Sequence, residues 1–117
     1  MSFQMNYTPM IVRNFFENYH EFLSYVEKGD PSYVEIWVDI NDAIQGADIT
    51  ARDMRYLQEC YILDNYYDFK SIAKKYGTSR YTVERGVRRA LAGILNELTT
   101  NLYSFEDIKL RNYDERM

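Results

Sequence analysis

Apolar positions recur at intervals of three and four along most of this chain. Ile11, Phe15, Tyr19, Phe22 and Val26 paint one face of a helix. Thr8 before Pro9 supplies a capping hydroxyl and a proline in the first turn, and Lys28-Gly29 marks the end. Asp30-Pro31 repeats that start signal, and Tyr33, Ile36, Trp37, Ile40 and Ile44 form a second stripe that Gly46 closes. Glu35, Asp39 and Asp42 occupy its opposite side. Thr50 with Asp53 resembles a capping box with Asp in place of Glu, opening a third helix through Met54, Leu57 and Tyr61 to about Asn65.

Asp68 is placed to cap a fourth helix with Phe69, Ile72, Ala73 and Tyr76 facing inward. Gly77 offers the positive φ that a short interhelical turn needs. Ser79 then opens the longest helix, whose inward stripe is Val83, Val87, Ala90, Leu91, Ile94, Leu95 and Leu98. Ser104 with Asp107 predicts a short sixth helix, and the tail from Asn112 is expected to fray. No repeat, low-complexity linker or convincing strand interrupts the pattern. The expectation is an all-α fold of five to six helices in a single domain of residues 1–117. Within it lie an N-terminal acidic helical pair (1–48), a helix-turn-helix module (49–102) and a short C-terminal helix and tail (103–117).

Composition narrows the function classes. With 46% hydrophobic residues in 117, the chain can bury a modest core without staples. One cysteine, Cys60, forms no internal disulfide, which fits a reducing compartment. No apolar run approaches the ~20 residues that cross a bilayer. The first residues also lack a basic region followed by an apolar core, so a cytoplasmic protein without membrane partners is expected. His20 is the only histidine, which excludes a multi-ligand zinc site or a choice of Cys-His pairs. Asp39 and Asp42 share a helix face, but no third ligand or phosphate loop accompanies them. No enzyme, metal or cofactor is expected.

Charge changes the picture more than composition does. The whole chain carries a net charge of −4. Residues 1–50 hold eight acids and two bases, whereas residues 51–117 hold ten acids and twelve bases. Between Lys70 and Arg89 seven residues are basic and only Glu84 is acidic, a local charge of +6. Two helices joined at Gly77, with small Ala73 at their crossing and Val83 plugging the second into the core, form a helix-turn-helix. A basic second helix in that motif is suited to the DNA major groove.

The run Ile72-Ala73-Lys74-Lys75-Tyr76-Gly77-Thr78-Ser79-Arg80-Tyr81-Thr82-Val83 is preceded by Ile49-Thr50-Ala51-Arg52-Asp53 and followed by Arg89-Ala90-Leu91. In this order the segments resemble the fourth region of bacterial sigma factors, over about residues 49–98. The stretch Ile72–Leu91 is also similar to the DNA-binding output domain of the sporulation response regulator. Small phage-encoded transcription regulators use the same sigma-like module. Asp53 departs from the sigma pattern, which has Glu there, and Gly86 and Gly93 interrupt the last helix. Those glycines predict either close packing or a bend.

The resemblance implies a phage or prophage-like transcription regulator that binds double-stranded DNA through the first turns of the helix starting at Ser79. Arg80, Tyr81, Glu84, Arg85 and Arg88 would read bases; Lys70, Lys74, Lys75, Ser79, Thr82 and Arg89 would contact phosphates. RNA polymerase or another host protein is implied as a partner of the acidic N-terminal helices, and a homodimer would read paired half-sites. Three readings compete: a solvated basic surface, a helix-turn-helix scaffold that inhibits or recruits a host protein, and a viral DNA-packaging adaptor. Nucleic-acid mimicry by the acidic half conflicts with the +6 stretch. The chain's twelve tyrosines also invite a single-strand stacking platform. Tyr19, Tyr33, Tyr61 and Tyr76 lie on apolar stripes, which favours packing, as does the position of Trp37; Tyr66, Tyr67 and Tyr103 stay open.

Overall fold

Thr8, Asp30, Thr50, Asp68 and Ser79 each stand in extended backbone directly before a helix, and each side chain accepts a first-turn backbone N–H. These caps satisfy donors that helix geometry leaves without partners. The computed structural model describes residues 6–63 and 68–110. Its helices are α1 (Pro9–Glu17), α2 (Tyr19–Glu27), α3 (Pro31–Gly46), α4 (Ala51–Leu57), α5 (Phe69–Tyr76) and α6 (Arg80–Thr99). A π-helical turn, Gln58–Ile62, continues α4, and a 3₁₀ turn spans Phe105–Asp107. The protein is all-helical, with no strand among the described residues. The expected helix end at Asn65, Tyr66, Tyr67 and the tail from Asn112 lie outside those residues.

Helix α6 runs through the centre. Its predicted stripe from Val83 to Leu98 is buried throughout, and the helix packs against α1, α3, α4, α5 and the 3₁₀ turn. Val12, Phe15 and Phe16 of α1, Ile40 and Ala43 of α3, and Phe69, Ile72 and Ala73 of α5 share the same core. Each large apolar side chain fully buried there contributes roughly 1.5–3 kcal/mol.

Four expectations need correction. The single helix predicted over residues 8–28 breaks at Asn18, whose φ of −117° and ψ of 32° leave the helical region. Its side-chain amide donates to the Asn14 carbonyl at 3.0 Å, a local bond that competes with regular helix. After the break α2 buries no residue fully and rests on α3 through its aromatic side chains, Phe22 against Tyr33 and Tyr25 stacked on Tyr33. Trp37 is correspondingly half-buried beside Phe15 and Tyr19. Second, the capping box at Thr50 is only half made: Thr50 accepts from the Asp53 N–H, but both Asp53 carboxylate oxygens turn to Arg89. Third, Tyr76 is 36% exposed, leaning edge-on against Tyr56 from the rim of the core. Fourth, the short sixth helix at Ser104 is a single 3₁₀ turn, though its capping box is complete.

The π-helical turn widens the end of α4 and buries Glu59, Cys60 and Tyr61 in succession. Burial pushes the Cys60 thiol up to about 12, reinforced by the charges of Glu17 and Asp68 against a lowering bond from Tyr61. The thiol is therefore a core hydrophobe rather than a nucleophile.

Gly86 and Gly93 serve close packing rather than a bend. A Cβ at Gly86 would sit 2.6 Å from the Tyr56 ring and 2.8 Å from the Asp53 carboxylate. At Gly93 it would meet Ile49 Cγ1 at 2.9 Å and the Asp48 carbonyl oxygen at 3.3 Å. Helix α4 thus lies on α6 at a distance only glycine allows. Gly86→Ala should destabilise the protein by about 1–2 kcal/mol, overpacking outweighing the helix-propensity gain. Gly93→Ala should cost clearly less because the isoleucine can re-rotate. Chemical denaturation of both variants checks the order.

Candidate nucleic-acid interface

The helix-turn-helix is built by α5, the turn at Gly77 and α6. Gly77 adopts φ 65° and ψ 36°, the left-handed conformation that glycine enters without penalty, and α5 ends there. The Thr78 N–H reaches back to the Ala73 carbonyl at 2.9 Å, which locks the reversal. Ala73, 4% exposed, lies at the helix crossing, and Val83 and Val87 anchor the start of α6. Ser79 caps α6 by accepting from the Thr82 N–H at 3.1 Å, and the two hydroxyls lie 2.9 Å apart.

With Val83, Gly86 and Val87 turned inward, the opposite side of the first turns faces solvent. Arg80, Tyr81 and Arg85 are exposed there, as are Lys70 and Lys74 on α5. Ser79 is exposed and Thr82 half-exposed at the cap between them. The Arg85 guanidinium stacks over the Tyr81 ring, 4.6 Å from its centroid, and lies 5.5 Å from that of Phe105. Among the described residues, no carboxylate pairs with Arg85, Lys70 or Lys74.

Four residues predicted for DNA contact are engaged inside the molecule. Arg89 grips Asp53 in bidentate fashion, Nε to Oδ2 at 2.9 Å and an Nη to Oδ1 at 3.1 Å. That hydrogen bonding raises the Arg89 pKa further. Arg89 is thus a brace between α4 and α6. Lys75 is likewise bound to Glu59, a buried carboxylate of the π-helical turn. Glu84 and Arg88 face each other one helical turn apart at 3.6 Å, and both are half-buried. They flank the exposed turns instead of leading them. Two of the seven bases in this stretch are therefore met by Asp53 and Glu59, which precede it in sequence.

Burial acts to raise the Glu59 pKa. Hydrogen bonds from Lys75 and Tyr76, with the positive charges of Lys75 and Arg55, outweigh it and hold the carboxyl below its usual 4.5. Asp39, which shares a helix face with Asp42, accepts a 2.7 Å bond from Tyr7. Burial, followed by that bond, raises the Tyr7 pKa. No three metal-ligating side chains converge among the described residues.

The end of α3 meets the C-terminal part of α6, where Gly46 abuts Glu97 and the segment after α3 packs Ile49 on Gly93. Along α6 the bases Arg80, Arg85, Arg88 and Arg89 lie in the N-terminal half, whereas Glu97 lies near the C-terminal end beside α3. Signals for this arrangement were partly present in the sequence. Asp53 and Glu59 were acids on a predicted apolar helix, which demands partners, but the sequence did not say which bases. Phe105 beside Arg85 carried no signal at all.

Comparison of this chain with protein-family models, curated proteins and solved structures returns no match. Function therefore has to be argued from the residues themselves. No helix among the described residues is long and apolar enough to cross a membrane.

Two predictions follow from the braces. Arg89→Ala leaves Asp53 buried without its bidentate partner and should cost about 2 kcal/mol, the usual penalty for a broken buried pair discounted for the solvent exposure of Arg89. Lys70→Ala should change stability by less than about 0.5 kcal/mol; thermal unfolding of both variants distinguishes brace from free surface. For Glu59 the folded pKa is depressed, so its contribution is full above the usual carboxyl value and lost as pH falls through the folded one. Stability should therefore drop on acidification below about pH 4.5, and Glu59→Gln should flatten that part of the profile.

Proposed function

We propose that this protein is a non-enzymatic, DNA-binding transcription regulator of phage or prophage type, acting in a bacterial cytoplasm by placing the first turns of α6 in the major groove. The observation that carries the reading is the exposed basic end of α6, with Arg80, Tyr81 and Arg85 projecting beyond the buried stripe and Lys70 and Lys74 beside it. Its contact set is smaller than the sequence implied. Arg80, Tyr81 and Arg85 read bases; Lys70, Lys74, Ser79 and Thr82 hold phosphates; Glu84 and Arg88 act one turn deeper and only by exchanging partners. Lys75 and Arg89 stay in their braces.

The placement of the α6 bases in its N-terminal half, with Glu97 near the other end, supports this reading, since a protein with a net charge of −4 must present its acids away from a duplex. One observation favours an additional protein partner. An open apolar groove of about 260 Å³ runs between α1, α2 and α3, lined by Ile11, Phe15, Phe22 and Ile36. RNA polymerase or another host protein would be its occupant in a regulator. A chain that used the groove alone would be an interaction protein with a helix-turn-helix scaffold.

Salt titration of binding to a random duplex tests the proposal. Affinity should fall steeply with salt, and Lys70→Ala or Lys74→Ala should each lower the log–log slope by about 0.9, one phosphate contact. Lys75→Ala should leave the slope unchanged. Sequence selection from a random pool should enrich one short site; binding without enrichment points to a packaging adaptor. A folded protein that binds no duplex at low salt rejects the proposal in favour of the interaction protein.

A further inference from the structure

Arg85 differs from its basic neighbours in what holds it. Arg89 is held by the Asp53 carboxylate, which occupies two of its N–H donors, and Arg88 faces Glu84 in an ion pair at 3.6 Å. Arg85 is positioned by rings: Tyr81 one turn earlier on α6, and Phe105 from the chain that returns after the helix. Ring contacts engage the face of a guanidinium and leave the five N–H groups in its plane unused. An arginine so held has lost much of its rotamer freedom before any ligand arrives, yet keeps its full donor fork.

Phe105 is itself fixed from several directions. The Asn96 side chain clamps the Tyr103 backbone, donating to its carbonyl at 2.9 Å and accepting from its N–H at 2.6 Å. Asp107 accepts from the Ser104 N–H at 2.8 Å, closing the capping box of the 3₁₀ turn. Ile108, 1% exposed, is itself buried in the core directly after the turn. The returning segment is thus tied to α6 on both sides of Phe105.

We propose that Phe105 is a positioning residue for Arg85, and that the Tyr81–Arg85–Phe105 stack presents a pre-oriented fork that reads one guanine through its O6 and N7 acceptors. This inference rests on the DNA-binding reading above and specifies the base recognised by the same surface. A bidentate fork matches the guanine edge in the major groove, whereas adenine presents an amino donor in place of O6 and repels it. The C-terminal segment therefore belongs to the specificity apparatus although it lies outside the helix-turn-helix.

The test uses the full-length protein and the short site selected from a random duplex pool. Each guanine in that site is replaced in turn by 7-deazaguanine, which removes N7 and keeps Watson–Crick pairing. One replacement should weaken wild-type binding appreciably, and the same replacement should have no effect in Arg85→Ala. Arg85→Ala itself should lower affinity for the site roughly 5- to 150-fold. Phe105→Leu, which keeps bulk but removes the ring, should weaken site binding about two- to five-fold, the worth of one exposed cation–π contact, with the salt slope unchanged. In the Arg85→Ala background Phe105→Leu should do nothing further, and Phe105→Tyr should restore wild-type affinity.

A merely structural role for Phe105 would instead give losses that add in the double variant. Additive losses, or a selected site with no guanine whose N7 matters, overturn the inference while leaving DNA binding intact. Absence of any duplex binding at low salt overturns the DNA reading, and this inference with it.

Discussion

Close packing of α4 on α6 is the constraint on which the rest of the molecule depends. Gly86 brings the two helices so near that Tyr56 and Asp53 rest directly on the α6 backbone. At that separation Asp53 is 3% exposed and needs a cation, which Arg89 supplies from the next turn of α6. The contact also sets the roll of α6 about its own axis. With Gly86 inward, Val83 and Val87 are inward, and Arg80, Tyr81 and Arg85 are outward by helical geometry alone.

The basic stretch from Lys70 to Arg89 is thereby divided into two populations. Lys75 and Arg89 pair with the buried acids Glu59 and Asp53. Lys70, Lys74 and Arg85 remain uncommitted among the described residues, and Arg80 and Tyr81 stand exposed beside them. A charge count along the sequence treats all of these alike. The physical distinction is that a carboxylate buried at 3–4% exposure must be paired or lose several kcal/mol, so it takes the nearest base regardless of any function. What is left over is the surface available for phosphates and bases.

The N-terminal helices show a different balance. The break at Asn18 divides a continuous apolar stripe into a buried part on α1 and a half-exposed aromatic part on α2. Phe22 and Trp37 pack on the core residue Phe15, and Tyr33 packs on Phe22, so this aromatic cluster extends the core outward. This region is tied to the core largely through α1 and α3, and the open groove along it follows from the change of direction at the break.

Sequence by itself determined the helices, their starts and the turn at Gly77, because caps, proline placement, positive-φ glycine and three-to-four periodicity act within a few residues of chain. It also determined the buried stripe of α6 from Val83 to Leu98. Only the tertiary structure decided which charges were spent. Arg89 meets Asp53 across 36 residues and Lys75 meets Glu59 across 16, and no local rule pairs them. The arrival of Phe105 beside Arg85 belongs to the same class. An apolar stripe says which face turns inward, whereas the identity of the group waiting there depends on how separate helices cross.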